Sequence, residues 1–114
     1  MKIEKIKEVD KVWGREFWLV NTKLYCGKLL ILDEGATSSY HYHNNKVETF
    51  YAYKGMVRLT IDGEDYILTP TSSPVTINSK EPHKFYGETK AVIIEISTRH
   101  NDRDVVRLTE SKSA

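Results

Sequence analysis

Short apolar runs separated by turn-forming residues are the feature of this sequence that most restricts its fold. In Val57–Ile61, apolar and polar side chains alternate with the period of two expected for a half-buried strand. Asp62-Gly63 follows this run, and such a pair between two apolar runs is a strong hairpin signal. The other strand-like runs are Arg15–Val20, Leu24–Leu32, Thr49–Tyr53, Tyr66–Leu68, Val75–Ile77, His83–Tyr86 and Ala91–Ser97.

Helical signals are absent from the chain. No segment of helical length carries apolar residues at three-and-four spacing, and Lys2–Lys11 indicates only an irregular segment or an edge strand. The prolines lie between the runs, as in a sheet, where a proline in a central strand would remove a hydrogen bond. We therefore expect an all-β chain that forms one domain over residues 1–114, as a small sandwich or barrel.

Charge and cysteine content exclude several classes of function. Seventeen Lys and Arg against sixteen Asp and Glu give a net charge of +1, so neither nucleic acid nor a membrane surface is an expected partner. Cys26 is the lone cysteine and lies in an apolar run, which predicts a buried thiol and no intramolecular disulfide. The N-terminus lacks the apolar core of a signal peptide, and we expect a cytoplasmic protein.

Two histidines stand one residue apart near the middle of the chain. His41 and His43 would point to the same face of a strand, and a turn at residues 44–46 would form a hairpin that returns Glu48 beside them. If the strand led by His83 is adjacent, three imidazoles and a carboxylate meet, a set that suits Zn, Fe, Mn, Co or Ni. On spacing alone, two histidines on the wet face of a strand are an equally good interpretation.

The surroundings of these histidines carry a family resemblance. The pattern G-x5-H-x-H-x4-E-x6-G, from Gly35 to Gly55, resembles the first motif of the cupin superfamily, and INSKEPHKF resembles the second. The resemblance covers about residues 24–97 and implies a single cupin domain, a double-stranded β-helix or jelly-roll-like barrel of six to eight strands. It also implies one divalent transition metal inside the barrel, held by His41, His43, Glu48 and His83.

A narrower resemblance rests on KVWG at 11–14, HNNKVE at 43–48 and EIS…DRDVVRL at 95–108. Together these are similar to the cupin domain of type II mannose-6-phosphate isomerases. That family carries a basic residue two places before the metal-binding glutamate, here Lys46, and an acidic-aliphatic-Arg stretch, here 104–107. His41 stands where that family tends to have Gln, which makes this site richer in imidazole. D-lyxose isomerases and other cupin sugar isomerases share the arrangement, so the resemblance leaves the sugar open.

Several side chains outside the ligand set have two interpretations each. Lys46, at the rim of the site, would hold a sugar hydroxyl or phosphate, or is an exposed turn lysine. His100 would fold over the barrel mouth and bind substrate, or lies exposed in a tail. Trp13 and Trp18 suggest core or interface packing. Four tyrosines predict an exposed, amphipathic outer surface, which a homodimer would cover: Tyr40, Tyr42, Tyr51 and Tyr53.

The leading functional hypothesis is a metal-dependent aldose–ketose isomerase acting on a sugar or sugar phosphate. In it Glu48 and Lys46 are the catalytic residues, and Lys46 and His100 contact the sugar-like substrate. Two alternatives are an Fe(II)-dependent, oxygen-using cupin and a carbohydrate-binding module without turnover. Polar residues around the expected metal favour the isomerase over the oxygen-using enzyme: Ser38, Ser39, Asn45 and Lys46.

Overall fold

The computed structural model describes residues 1–114, which form two antiparallel sheets and one turn of 3-10 helix, Asp102–Asp104. The strands are β1 (Lys7–Lys11), β2 (Gly14–Asn21), β3 (Cys26–Leu32), β4 (His41–His43), β5 (Glu48–Lys54), β6 (Val57–Ile61), β7 (Glu64–Leu68), β8 (Val75–Ile77), β9 (His83–Gly87), β10 (Ala91–Ser97) and β11 (Val105–Arg107). The expected all-β fold is confirmed, with eleven strands where the resemblance implied six to eight.

The two sheets face each other and enclose the core. One has the order β1-β2-β3-β10-β5-β8 and the other the order β11-β4-β9-β6-β7. The N-terminal segment forms the edge strand β1. Of the two predictions for Lys2–Lys11, an irregular segment or an edge strand, the second is confirmed. In β3, buried and half-buried residues alternate strictly along the strand, because successive side chains point to opposite faces. The buried thiol of Cys26, 1% exposed, is confirmed on the inner face of this strand.

The predicted hairpin at Asp62-Gly63 is confirmed between β6 and β7. Both residues have positive φ, 49° at Asp62 and 84° at Gly63, the combination that type I′ turns require. No helix in the structure is long and apolar enough to cross a membrane.

The predicted hairpin between the histidine strand and the glutamate strand is wrong. β4 pairs with β9 and β11, whereas β5 pairs with β10 and β8 in the other sheet. The connection crosses from one sheet to the other, and Asp104 holds it there: its carboxylate accepts hydrogen bonds from the backbone N–H groups of Asn45 and Lys46 at 3.0 and 3.1 Å. Glu48 therefore faces the histidines across the interior.

The outward tyrosines are less exposed than the sequence predicted. Only Tyr53 is exposed, at 54%, while Tyr40, Tyr42 and Tyr51 are half-buried. The Tyr51 hydroxyl donates a hydrogen bond to the carbonyl of Pro70 at 2.6 Å, which explains its partial burial. Trp13, in contrast, packs in the core as expected.

Gly55 and Gly63 give a matched test of crowding at turns, because their φ angles are 82° and 84°. A Cβ at Gly55 would lie 2.2 Å from the carbonyl oxygen of Lys90, whereas one at Gly63 meets nothing within 4 Å. Gly63→Ala should lower the free energy of unfolding by about 1 kcal/mol, for the left-handed conformation alone. Gly55→Ala should lower it by about 3 kcal/mol or more, since overpacking adds to this. Equal losses in urea denaturation would show that Gly55 is not crowded.

Candidate metal centre

The four expected ligand residues converge at one end of the interior. His41 and His83 are register partners across β4 and β9, and His43 follows on the same face of β4. The potential ligand atoms of the three histidines all lie within 4.8 Å of one another. Glu48, at the start of β5, brings its Oε1 to 2.8 Å from Nε2 of His43 and 3.8 Å from Nε2 of His83.

Three atoms in this cluster are buried without a hydrogen-bond partner: Nδ1 of His43, Oε1 of Glu48 and Nε2 of His83. The short approach between His43 and Glu48 thus lacks hydrogen-bond geometry, although the two side chains are close. Unpaired buried polar atoms are rare because leaving them unsatisfied costs about 1–3 kcal/mol each. Imidazole nitrogens and a carboxylate oxygen this close together are ligands that suit a divalent transition metal.

Hydrogen bonds on the far side of two imidazoles set their orientation. Nδ1 of His83 donates to the carbonyl of Glu81 at 2.9 Å, and Nδ1 of His41 donates to the carbonyl of Ser39 at 3.0 Å. With its proton on Nδ1, each neutral ring keeps the lone pair of Nε2 for the centre of the cluster. Backbone carbonyls commonly fix metal-binding imidazoles in this way.

The surroundings also hold these groups in the protonation states that ligands need. Burial, reinforced by the neighbouring His83 and His43, lowers the pKa of His41 to about 3, and burial likewise lowers the pKa of His83. For Glu48, burial opposes ionisation, but His43 and the Lys46 ammonium prevail and lower its pKa to about 2. Metals bind neutral imidazole and ionised carboxylate, and these directions favour those forms at His41, His83 and Glu48.

Lys46 is buried beside this cluster, and its interpretation as an exposed turn lysine is wrong. The residue is 3% exposed, and its Nζ lies 2.8 Å from Oε2 of Glu95 and 3.0 Å from Nδ1 of His100. Burial alone would lower the pKa of Lys46, but the Glu95 and Glu48 carboxylates raise it. The turn at 44–46 thus carries its lysine inward, because the connection crosses between the sheets.

His100 lies over the cavity, and its interpretation as an exposed tail residue is wrong. An ammonium can only donate, so Nδ1 of His100 accepts from Lys46 and Nε2 donates to Asp102 Oδ1 at 2.7 Å. The ring also packs edge-on against Trp18, with centroids 4.8 Å apart. Both nitrogens are therefore engaged, and the ring is fixed in one tautomer.

Three further charged residues lie in the interior, and their burial was not predicted from the sequence. Lys28 and Glu95 are 2% and 4% exposed and are register partners on β3 and β10. Glu16, on β2, lies beside them, with its Oε1 3.5 Å from Nζ of Lys28. Strand parity is the signal that could have found the first two, because each occupies an inward position between buried residues of its own strand.

A cavity of about 290 Å³ connects these groups with the surface. Its inner wall carries the histidine cluster and the charged residues, and its outer part is lined by side chains from the N-terminal segment and from β11. The volume lies at the lower end of the range of about 300–1,000 Å³ that is usual for small-molecule sites. A compact polar ligand suits the cavity in size and in chemistry.

The burial of Lys46 predicts a stability effect that a surface lysine would not have. Lys46→Met leaves the Glu95 carboxylate buried and unpaired, so the free energy of unfolding should fall by about 3–5 kcal/mol. Lys46→Met combined with Glu95→Gln should recover much of this loss. Lys23→Met, at an exposed turn lysine, is the control and should change stability by less than about 0.5 kcal/mol. A loss from Lys46→Met as small as the control's, in chemical denaturation, would contradict the ion pair.

Solved structures with the same fold share little sequence with this chain. CapF from Staphylococcus aureus, a capsular polysaccharide assembling protein, has a TM-score of 0.79 at 19% identity over 92% of this chain and 34% of its own. KdgF from Halomonas sp. has a TM-score of 0.74 at 17% identity over 88% and 90%. Streptomyces PAC13 with uridine, called a nucleoside dehydratase, has a TM-score of 0.80 at 11% identity over 96% and 88%.

The chain thus spans about a third of the CapF chain but most of the other two. At these identities the likeness shows the fold alone. No curated protein matches the chain in sequence. The model of the cupin domain matches residues 28–97, which is more than half of the chain and contains all four residues of the cluster. The protein belongs to the cupin family.

Proposed function

We propose that this cupin is a metal-dependent enzyme that isomerises a sugar or sugar phosphate between its aldose and ketose forms. The observation that carries the proposal is the convergence of His41, His43, His83 and Glu48 in a small cavity with polar, charged walls. A carbohydrate presents hydroxyl and carbonyl oxygens in every direction, and such a cavity can bind them.

In the proposed mechanism the three histidines and Glu48 would hold one divalent cation, for which this donor set suits Zn, Mn, Fe, Co or Ni. The cation would supply Lewis acidity at the carbonyl and the adjacent hydroxyl of the sugar. Lys46 already donates to Glu95 and His100, so one of its three N–H groups remains for a substrate oxygen. We assign to it the stabilisation of negative charge on a substrate oxygen, or the binding of a phosphate, while the carboxylate of Glu48 would take the C2 proton and return it to C1.

His100 has a positioning role in this proposal. Its ring closes one side of the cavity and accepts a hydrogen bond from Lys46, while the exposed Asp102 accepts one from Nε2. Because both ring nitrogens are engaged, a direct hydrogen bond from this ring to substrate would require one of these contacts to break. His100 therefore acts on the substrate mainly by shaping the wall and orienting the Lys46 ammonium.

The neighbours support a carbohydrate-like substrate without deciding the reaction. One is named for capsular polysaccharide assembly and another contains uridine, whose ribose is a sugar. The same barrel hosts many chemistries, so the choice rests on the cavity. Its buried wall carries two lysines and two glutamates close to the histidines, which suits a hydroxyl-rich substrate better than an apolar one.

The metal centre predicts a contrast between histidines. His43→Ala should reduce the metal content of the purified protein at least tenfold, because it removes one nitrogen ligand. His100→Ala is the matched control, since it removes the one histidine outside the cluster and should leave the metal content unchanged. Elemental analysis of chelator-free preparations, with melting curves to confirm folding, provides the measurement. Full metal content in a folded His43→Ala/His83→Ala variant would refute the site.

The isomerase itself is tested by proton exchange. Metal-loaded protein should exchange the C2 proton of its aldose substrate with deuterium oxide, detected by NMR across a panel of neutral aldoses, aldose phosphates and aldoses that carry a carboxylate. Glu48→Gln should lower metal content and exchange rate together, because a neutral amide is a poorer ligand than a carboxylate. No exchange with any member of the panel at full metal loading would refute the isomerase. Oxygen consumption by the Fe(II)-loaded protein would then be measured as the test of the oxygen-using alternative.

We also propose a homodimer formed through the outer face of the six-stranded sheet. An apolar row crosses four strands in register: Phe17, Leu29, Ile94 and Tyr51. All four are half-buried, and the exposed Tyr53 and Ile96 lie on the same face, where a second copy would cover them. Light scattering at micromolar concentration should give twice the chain mass of 13.2 kDa, and Ile94→Lys should halve it. A monomeric wild-type protein would exclude the dimer.

A further inference from the structure

Lys28 is a buried cation without a short hydrogen bond to a carboxylate. It is 2% exposed, yet its Nζ lies 3.5 Å from Oε1 of Glu16, beyond the usual range of about 2.7–3.2 Å for a hydrogen bond. That Glu16 oxygen already accepts a hydrogen bond from the indole N–H of Trp18 at 2.7 Å. The Lys28 ammonium also lies over the Trp18 ring, 4.2 Å from its centroid. None of its three N–H groups has a hydrogen-bonded acceptor in the structure.

The position of Lys28 differs from that of Lys46. Lys46 is held by Glu95 at 2.8 Å and by His100 at 3.0 Å, so the Glu95 carboxylate is committed to it. Lys28 is the register partner of Glu95 across β3 and β10 but forms no ion pair with it. Both lysines line the cavity that also contains the histidine cluster. The cavity therefore contains one ammonium that is tightly paired and one whose carboxylate contact, to Glu16, is longer.

The charge balance of the interior indicates which ligand would complete it. The buried or nearly buried groups are the two lysines and the carboxylates of Glu16, Glu48 and Glu95, a net charge of −1. A divalent cation at the histidines would change this to +1. Because uncompensated charge is costly away from water, a loaded cavity favours a ligand with one negative charge.

We infer that Lys28 anchors a carboxylate of the substrate, which makes the substrate a sugar acid or a similar hydroxy acid. This rests on the proposed function only in taking the cavity as the substrate site. The carboxylate would accept hydrogen bonds from the Lys28 ammonium, while the hydroxyl groups of the same molecule face the histidine cluster. A carboxylate is compact and singly charged, whereas a phosphate carries about two negative charges at neutral pH and would exceed the balance.

The test uses two small probes of matched size, glycolate and ethylene glycol. Glycolate carries a carboxylate where ethylene glycol carries a hydroxymethyl group. Binding is followed by NMR through the indole N–H of Trp18, which lies under the Lys28 ammonium. Zinc-loaded protein should show a saturable shift with glycolate and a much weaker one with ethylene glycol. Lys28→Met, which keeps the length of the side chain, should raise the glycolate dissociation constant about tenfold or more. Lys54→Met removes an exposed lysine outside the cavity and should leave the glycolate dissociation constant unchanged.

Glu16→Gln separates this role from a structural one. If Lys28 serves only as the ion-pair partner of Glu16, loss of the Glu16 charge should not improve glycolate binding. If Lys28 binds the ligand, Glu16→Gln removes its competing carboxylate and should tighten glycolate binding. Equal glycolate affinity in wild type and Lys28→Met, or no saturable shift in wild type, overturns the inference. So does a Lys28-dependent shift with methyl phosphate but not with glycolate.

The outcome is independent of turnover. Glycolate binding that depends on Lys28 would stand even if no aldose shows proton exchange, in which case the reaction and not the substrate charge would be wrong. Proton exchange without Lys28-dependent binding would support the isomerase and refute the proposal that the substrate carries a carboxylate. The metal content of each variant, measured in the same samples, shows whether Lys28→Met acts on the ligand or on the metal.

Discussion

The interior of this barrel is organised around a cluster of buried and half-buried polar groups. Three imidazoles and a carboxylate converge between the two sheets, and three of their atoms have no hydrogen-bond partner. Buried polar atoms of this kind destabilise a fold unless something else binds them. The rest of the structure accommodates this constraint: carbonyls orient two of the rings, and the charges around Glu48 keep it ionised. A bound cation is the simplest partner for all of these groups together.

The crossing between the sheets makes the convergence possible. His41 and His43 lie in one sheet and Glu48 in the other, so the ligands approach from opposite walls and not from a single hairpin. Asp104 holds the connection by accepting hydrogen bonds from two of its backbone N–H groups. The same crossing turns the Lys46 side chain inward, where Glu95 neutralises it. One backbone feature thus positions both the histidine cluster and the charged wall beside it.

The strands and the ligand set could be predicted from the sequence because each rests on a local signal. Period-two alternation marks β6, and the cupin-like motif marks His41, His43 and Glu48 with their flanking glycines. Gly55, at the end of that motif, has positive φ and almost no room for a Cβ. The wrong predictions depended on contacts distant in sequence. The course of the chain after His43 depends on Asp104, and the burial of Lys46 depends on Glu95, about fifty residues away. Lys28 was overlooked because its neighbours are apolar, although its parity places it inside.

The most direct test of the metal centre is a crystal structure of protein loaded with one equivalent of zinc, with diffraction measured on both sides of the zinc absorption edge. We expect one anomalous peak per chain, about 2.0–2.2 Å from a nitrogen of each of His41, His43 and His83 and from an oxygen of Glu48. A peak at any other position, or none at full stoichiometric loading, would contradict it.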